Sequence, residues 1–259
     1  MRKIFMIVAL VSMVFSAQAW TREADQGTRL FARQHLDASV VKEYTRILRL
    51  GKKYPREKVA APQDKRWGRV SLGADLRSTT TYEGDVVVQL ERAADVLRNR
   101  ANHSEAEQIE ALRSIFLNMI LLHNISRVSI EGNEKSEGFY LYTHSGVMAE
   151  LDPKYNKSRK RSWAQLWGRD ATIGYYGYTP QMFAEELQIS HTADKEAFSA
   201  GSIRDWAADM GKEAAAQLEW ATPDMKLYNI QRIALEPVHN RLMAKAGFRL
   251  AALLNDVLK

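Results

Sequence analysis

Apolar residues recur three and four positions apart along most of this chain, the period that gathers them on one face of an α-helix. Val40, Val41, Tyr44, Ile47 and Leu48 make one such stripe, and Gly51 behind it reads as a stop. Asp85 stands where a side-chain oxygen can cap a helix that buries Val86, Leu90, Ala93 and Leu97. Ser104-Glu105-Ala106-Glu107 has the capping-box pattern, in which hydroxyl and carboxylate each satisfy a free N–H at the helix start. The helix it opens carries Ile109, Leu112, Phe116, Met119, Ile120 and His123 on neighbouring faces. Thr179-Pro180 and Thr222-Pro223 read as N-cap and first-turn pairs, because proline lacks the N–H that would be orphaned there. Ser202 predicts the cap of a helix through Trp206 and Leu218, and a closing helix from about Val238 runs through Leu242, Phe248, Leu253, Leu254 and Val257.

Two stretches break this period. Lys52 to Gly68 holds Pro55, Pro62 and many charges, and reads as an exposed loop between helices. Gly132 to Ser145 contains Phe139-Tyr140-Leu141-Tyr142-Thr143, a β-prone run and the candidate for a short hairpin. Neither stretch has the composition of a domain boundary, and no repeat with a period of about twenty to fifty residues is present. The expected fold is all-α, a single compact multi-helix domain over residues 20–259, with that short β-hairpin as its one irregular feature.

The first residues read differently. Met1-Arg2-Lys3 is a positive start, Ile4 to Phe15 is apolar, and Ala17-Gln18-Ala19 is a small-residue cleavage site, so residues 1–19 are expected to be a signal peptide. The apolar run is shorter than the ~20 residues of a spanning helix, and no later run approaches one. The expected location is periplasmic or secreted, without an integral membrane span. Removing Arg2 and Lys3 takes the formal charge from +6 to +4, a mild excess that favours an anionic partner only weakly. With no cysteine, an exported chain has neither a disulfide framework nor thiolate chemistry, so its stability must come from packing or bound ions.

Four segments together carry a resemblance. They are the Trp20 start with Arg33-Gln34-His35-Leu36 after it; Gln89-Leu90-Glu91-Arg92-Ala93 with Glu110-Ala111-Leu112-Arg113; Gly132-Asn133; and the run from Arg241 to Asn255. In order and separation they are similar to the secreted zinc-dependent single-strand-specific nuclease and phospholipase C family, all-α enzymes that hold three zinc ions in a cleft. The resemblance implies a zinc phosphodiesterase: an endonuclease or 3'-nucleotidase acting on single-stranded nucleic acid or other phosphate esters through a metal-activated water. It also implies ligands. These are the amino group and carbonyl of the first Trp, a His five residues on, an Asp, a later His, a central helix bearing His, Asp and His, and a final His with Asp four on.

This sequence departs from that pattern at most positions. Trp20 and Asp75 are kept, and Asp25 stands where the first His belongs. No His lies between Asp75 and His103, and aligning Arg113 puts Leu117, Leu121 and Arg127 at the three central-helix positions. Leu166-Trp167 matches the final motif, with Ala164 and Gly168 at its His and Asp. Leucine cannot donate to zinc and arginine repels it, so only Trp20, Asp25 and Asp75 remain as metal candidates.

The expected function is therefore that of a non-catalytic binding or interaction module with no catalytic residues and no cofactor. The alternative is the zinc phosphodiesterase, with zinc on those three residues. Lys157-Ser158-Arg159-Lys160-Arg161 lies close to Trp163 and Trp167, a pattern that serves a surface loop or a single-stranded nucleic-acid contact through Arg159, Lys160 and Arg161. His123 reads as a core histidine, Asp205 and Asp209 as a solvated helix face, and His144, His191 and His239 as unrelated residues. A monomer is expected, with a periplasmic or extracellular partner.

Overall fold

The structure is a computed structural model, and it describes residues 20–55, 64, 66–78, 82–144, 158–171 and 177–259. The expected signal peptide, residues 1–19, lies outside the described residues, as does Lys157 of the basic run. Among the described residues no helix is long and apolar enough to cross a membrane.

The protein is mostly helical. Helix α1 (Arg22–Gln34) begins on Thr21, whose hydroxyl accepts from the Ala24 N–H, and α2 (Ala38–Lys53) follows. Asp85 caps α3 (Val86–Arg98), and the capping box of Ser104 and Glu107 opens α4 (Glu105–Leu122), both as the sequence predicts. After α5 (Trp163–Gly168) comes α6 (Pro180–His191), capped by Thr179. Then follow α7 (Lys195–Ser199) and α8 (Ile203–Trp220), the latter with a second capping box between Ser202 and Asp205. The short α9 (Asn229–Ile233) leads into α10 (Glu236–Val257).

Helix α10 is the centre of the molecule, packed against α1, α3, α4, α6 and α7 and buried along most of its length. Close approach needs small residues there. A Cβ at Gly247 would collide with the Phe31 ring of α1, and one at Gly27 would collide with Phe183 of α6, so these glycines let α1 wedge between its two neighbours.

Two small sheets lie on the helices. Strands β1 (Val70–Leu72) and β2 (Val128–Ile130) pair in parallel, Val70 opposite Val128, and bury Val70, Leu72, Val128 and Ile130. A three-stranded sheet has the order β4-β3-β5, from β4 (Ser158–Ser162), β3 (Tyr140–His144) and β5 (Lys226–Leu227).

Four expectations change. Helix α2 continues through Gly51 to Lys53, so the glycine is not a stop. Thr222-Pro223 does not open a helix; a turn carries the chain into β5, and the next helix starts at Asn229. The β-prone run supplies one strand, and its antiparallel partner is the basic stretch read as a loop, with Tyr140 opposite Ser162 and His144 opposite Ser158. The closing helix starts at Glu236, with proline in its first turn.

Candidate functional site

The three metal candidates keep different company. Trp20 is 2% exposed, its indole tilted against the His239 ring with centroids 5.4 Å apart. Asp25 faces Arg29 one turn on along α1, with N–O distances of 2.9 and 2.6 Å. Asp75 sits on an exposed turn, where its carboxylate accepts from the Arg77 N–H at 3.0 Å. Among the described residues no three His, Asp or Glu side chains converge on a point that could hold a metal ion.

Leu117 and Leu121 of α4 both belong to the apolar packing. Leu121 is 3% exposed, and the partly buried Leu117 packs on the same cluster. Around Ala164 and Gly168, α5 buries Trp163, Leu166 and Trp167. Arg127, the third aligned position, lies beyond α4 just before β2, its Nε buried without a hydrogen-bond partner.

The histidines are scattered. His123 ends α4, with Nδ1 2.8 Å from the Met119 carbonyl and Nε2 3.0 Å from Arg249, and burial followed by the Arg249 charge holds it well below the usual histidine range. His191 meets Asp194 at 2.9 Å, and the His144 ring lies 4.8 Å from that of Tyr228. His239 is fully buried with neither ring nitrogen hydrogen-bonded, and burial alone pushes it down to about 3.

Asp205 and Asp209 part ways. Asp205 serves the cap of α8. Asp209 instead joins a half-buried network: Lys245 reaches both Asp209 (2.8 Å) and Glu213 (3.0 Å), and Arg249 reaches Asp209 (2.6 Å). Burial alone would raise the Asp209 carboxyl, but the hydrogen bonds and charges of Lys245 and Arg249 outweigh it and hold it low. The network ties α8 to α10.

The basic run builds the most organised surface. Strand register sets Lys160 beside Tyr142 and Tyr142 beside Lys226, one row across three strands. Tyr140, two residues from Tyr142 on the same face, is 55% exposed, and the Lys160 ammonium stands 4.8 Å from its ring centroid. Arg161 points to the other face and pairs with the buried Asp170 at 3.1 Å, whereas Arg159 is exposed. Of the three cations read from sequence, Lys160 and Arg159 thus face solvent and Arg161 is structural. Tyr140, Tyr142 and Lys226 were missed as site residues, because only register brings them to Lys160; the alternation of Tyr140 and Tyr142 was the one available signal.

No protein-family model matches the chain, and no curated protein matches it.

Proposed function

We propose that this chain is an exported, non-catalytic binding module built on the scaffold of the zinc nuclease and phospholipase C family. The observation that carries this reading is the fate of Leu121: a position where the resemblance asks for a metal-binding carboxylate holds a leucine only 3% exposed, inside continuous packing. A carboxylate there would be buried without a cation, which costs several kcal/mol, on the order of the whole benefit of a good core residue. Zinc content tests it. Elemental mass spectrometry on chain purified without chelator is expected to find far less than one zinc per molecule. One or more tightly held ions would overturn the proposal and favour the phosphodiesterase reading, with its ligands still to be found.

A second reading names a partner, and the row Lys160–Tyr142–Lys226 with Tyr140 favours it. Aromatic side chains two residues apart on a strand are about 7 Å apart, a step over which successive bases of an extended single strand can stack while flanking cations meet the phosphates. Fluorescence anisotropy with a labelled single-stranded oligonucleotide is the test. Binding should weaken with salt, and both Tyr140→Ala and Lys160→Glu should weaken it further; salt-independent binding, or wild-type affinity in both variants, would remove this reading.

A further inference from the structure

The parallel pairing of β1 with β2 has an electrostatic consequence. Because Val70 is opposite Val128, the preceding residues, Arg69 and Arg127, start the two strands side by side. Like charges directly opposite each other on a sheet repel. Here both are largely withdrawn from water: the Arg69 side chain is 14% exposed, and the Arg127 Nε is buried with no hydrogen-bond partner. Arginine cannot escape by losing its proton.

The protein compensates these charges poorly. Arg69 donates from Nε to the Ser129 hydroxyl and from one terminal nitrogen to the Ser136 carbonyl, each at 2.6 Å, and both acceptors are neutral. Among the described residues the nearest carboxylate to Arg69 is that of Glu137, 3.9 Å away and itself 66% exposed, and Arg127 has none within ion-pair distance. Burial, and for Arg127 the field of Arg69, lowers the proton affinity of both guanidinium groups, as uncompensated charge must.

Arg69 also lines a cavity of about 500 Å³, with Ser129, Asn133 and the exposed Arg66 among its other walls. The Ser129 hydroxyl, already accepting from Arg69, has its own proton to donate, and the Asn133 amide can donate too. Ser71 is engaged with Asp85 and contributes less. Glu131, Glu134 and Glu137 also line the cavity; all three are solvent-exposed, where screening weakens them far more than it weakens the buried Arg69 and Arg127.

We infer that the cavity lined by Arg69, with its strand neighbour Arg127 adding charge from outside the lining, is a binding site for a tetrahedral oxyanion, phosphate or the phosphoryl group of a small monoester. Arg69 contacts it directly, Ser129 and Asn133 donate to it, and Arg127 supplies the second positive charge. Planar guanidinium groups suit such oxygens because two parallel N–H bonds can reach one anion. The site does not depend on metal content or on the Tyr140 surface, so its failure would leave both readings above standing.

Thermal unfolding of the full chain in inorganic phosphate, against chloride at matched ionic strength, is the experiment. Phosphate should raise the midpoint saturably above chloride. Arg127→Met removes the repulsion while keeping most of the volume, so its midpoint without phosphate should equal or exceed wild type, while its apparent phosphate affinity falls at least tenfold. No saturable gain over chloride in wild type, or an unchanged phosphate response in Arg127→Met, would overturn the site. Phenyl phosphate separates the sources: tighter binding than inorganic phosphate identifies a monoester, weaker binding the free ion, and either order supports the oxyanion chemistry.

Discussion

His239 is the residue whose environment departs furthest from what its chemistry prefers. Its imidazole is enclosed against Trp20 with no hydrogen bond, and its folded pKa of about 3 lies far below the ~6.5 of an unfolded histidine. Between those values the unfolded chain binds a proton that the folded chain refuses. Stability is therefore full above about pH 6.5 and falls as the pH drops, by about 1.4 kcal/mol per unit, until the folded ring itself protonates. His239→Leu leaves no polar partner stranded and should make the protein less acid-sensitive. Its gain over wild type should be about 2 kcal/mol larger at pH 5 than at pH 8 in urea unfolding. An equal difference at the two pH values would mean that His239 is reached by water or by a partner. Sequence placed His123 correctly in the core, because a lone histidine on an apolar helix face has few other uses. It gave no sign for His239, whose ring packs against Trp20, far away along the chain.

Helices were legible where a side chain signs the start. Asp85, Ser104 and Ser202 act within three residues of themselves, so their caps could be read from local sequence alone. Strand β4 could not, because Ser158–Ser162 has no apolar alternation and is a strand only through its register with β3. The same locality ranks the caps. Asp85 is fully buried and accepts from the Val87 N–H and, across to β1, the Ser71 N–H, each at 2.8 Å, while Ser104 is solvent-accessible. Asp85→Ala is expected to cost about 2 to 3 kcal/mol, since two buried donors are orphaned, and Ser104→Ala about 1 kcal/mol, both from urea midpoints. Equal costs would show that the link from α3 to β1 contributes nothing. Within β4 the two faces should separate in the same assay. Arg161→Gln deprives the buried Asp170 of a partner and should destabilise the fold, whereas Lys160→Gln on the open face should stay within about 0.5 kcal/mol of wild type.

Across the whole molecule, the mostly helical architecture follows from periodicity, but the proposed sites depend on pairings that periodicity does not contain. Arg69 meets Arg127, and Lys160 meets Tyr142 and Lys226, through non-local strand register, and no short-range signal announces either. That Leu117 and Leu121 cannot ligate a metal was legible, because it is a matter of identity; that they join the core cluster was not, because it is a matter of packing. If packing has taken over from ions, the fold should be indifferent to metal. A site that bound zinc only when folded would stabilise the chain by about 2.7 kcal/mol at a hundred times its dissociation constant, or roughly 5 to 10 °C of melting midpoint for a domain of this size. We expect the midpoint to move by less than about 1 °C between excess chelator and added zinc, since among the described residues no three His, Asp or Glu side chains converge on a metal point. A fall in chelator that zinc reverses would place a structural ion in this chain, and the proposal of a metal-free module would fail with it.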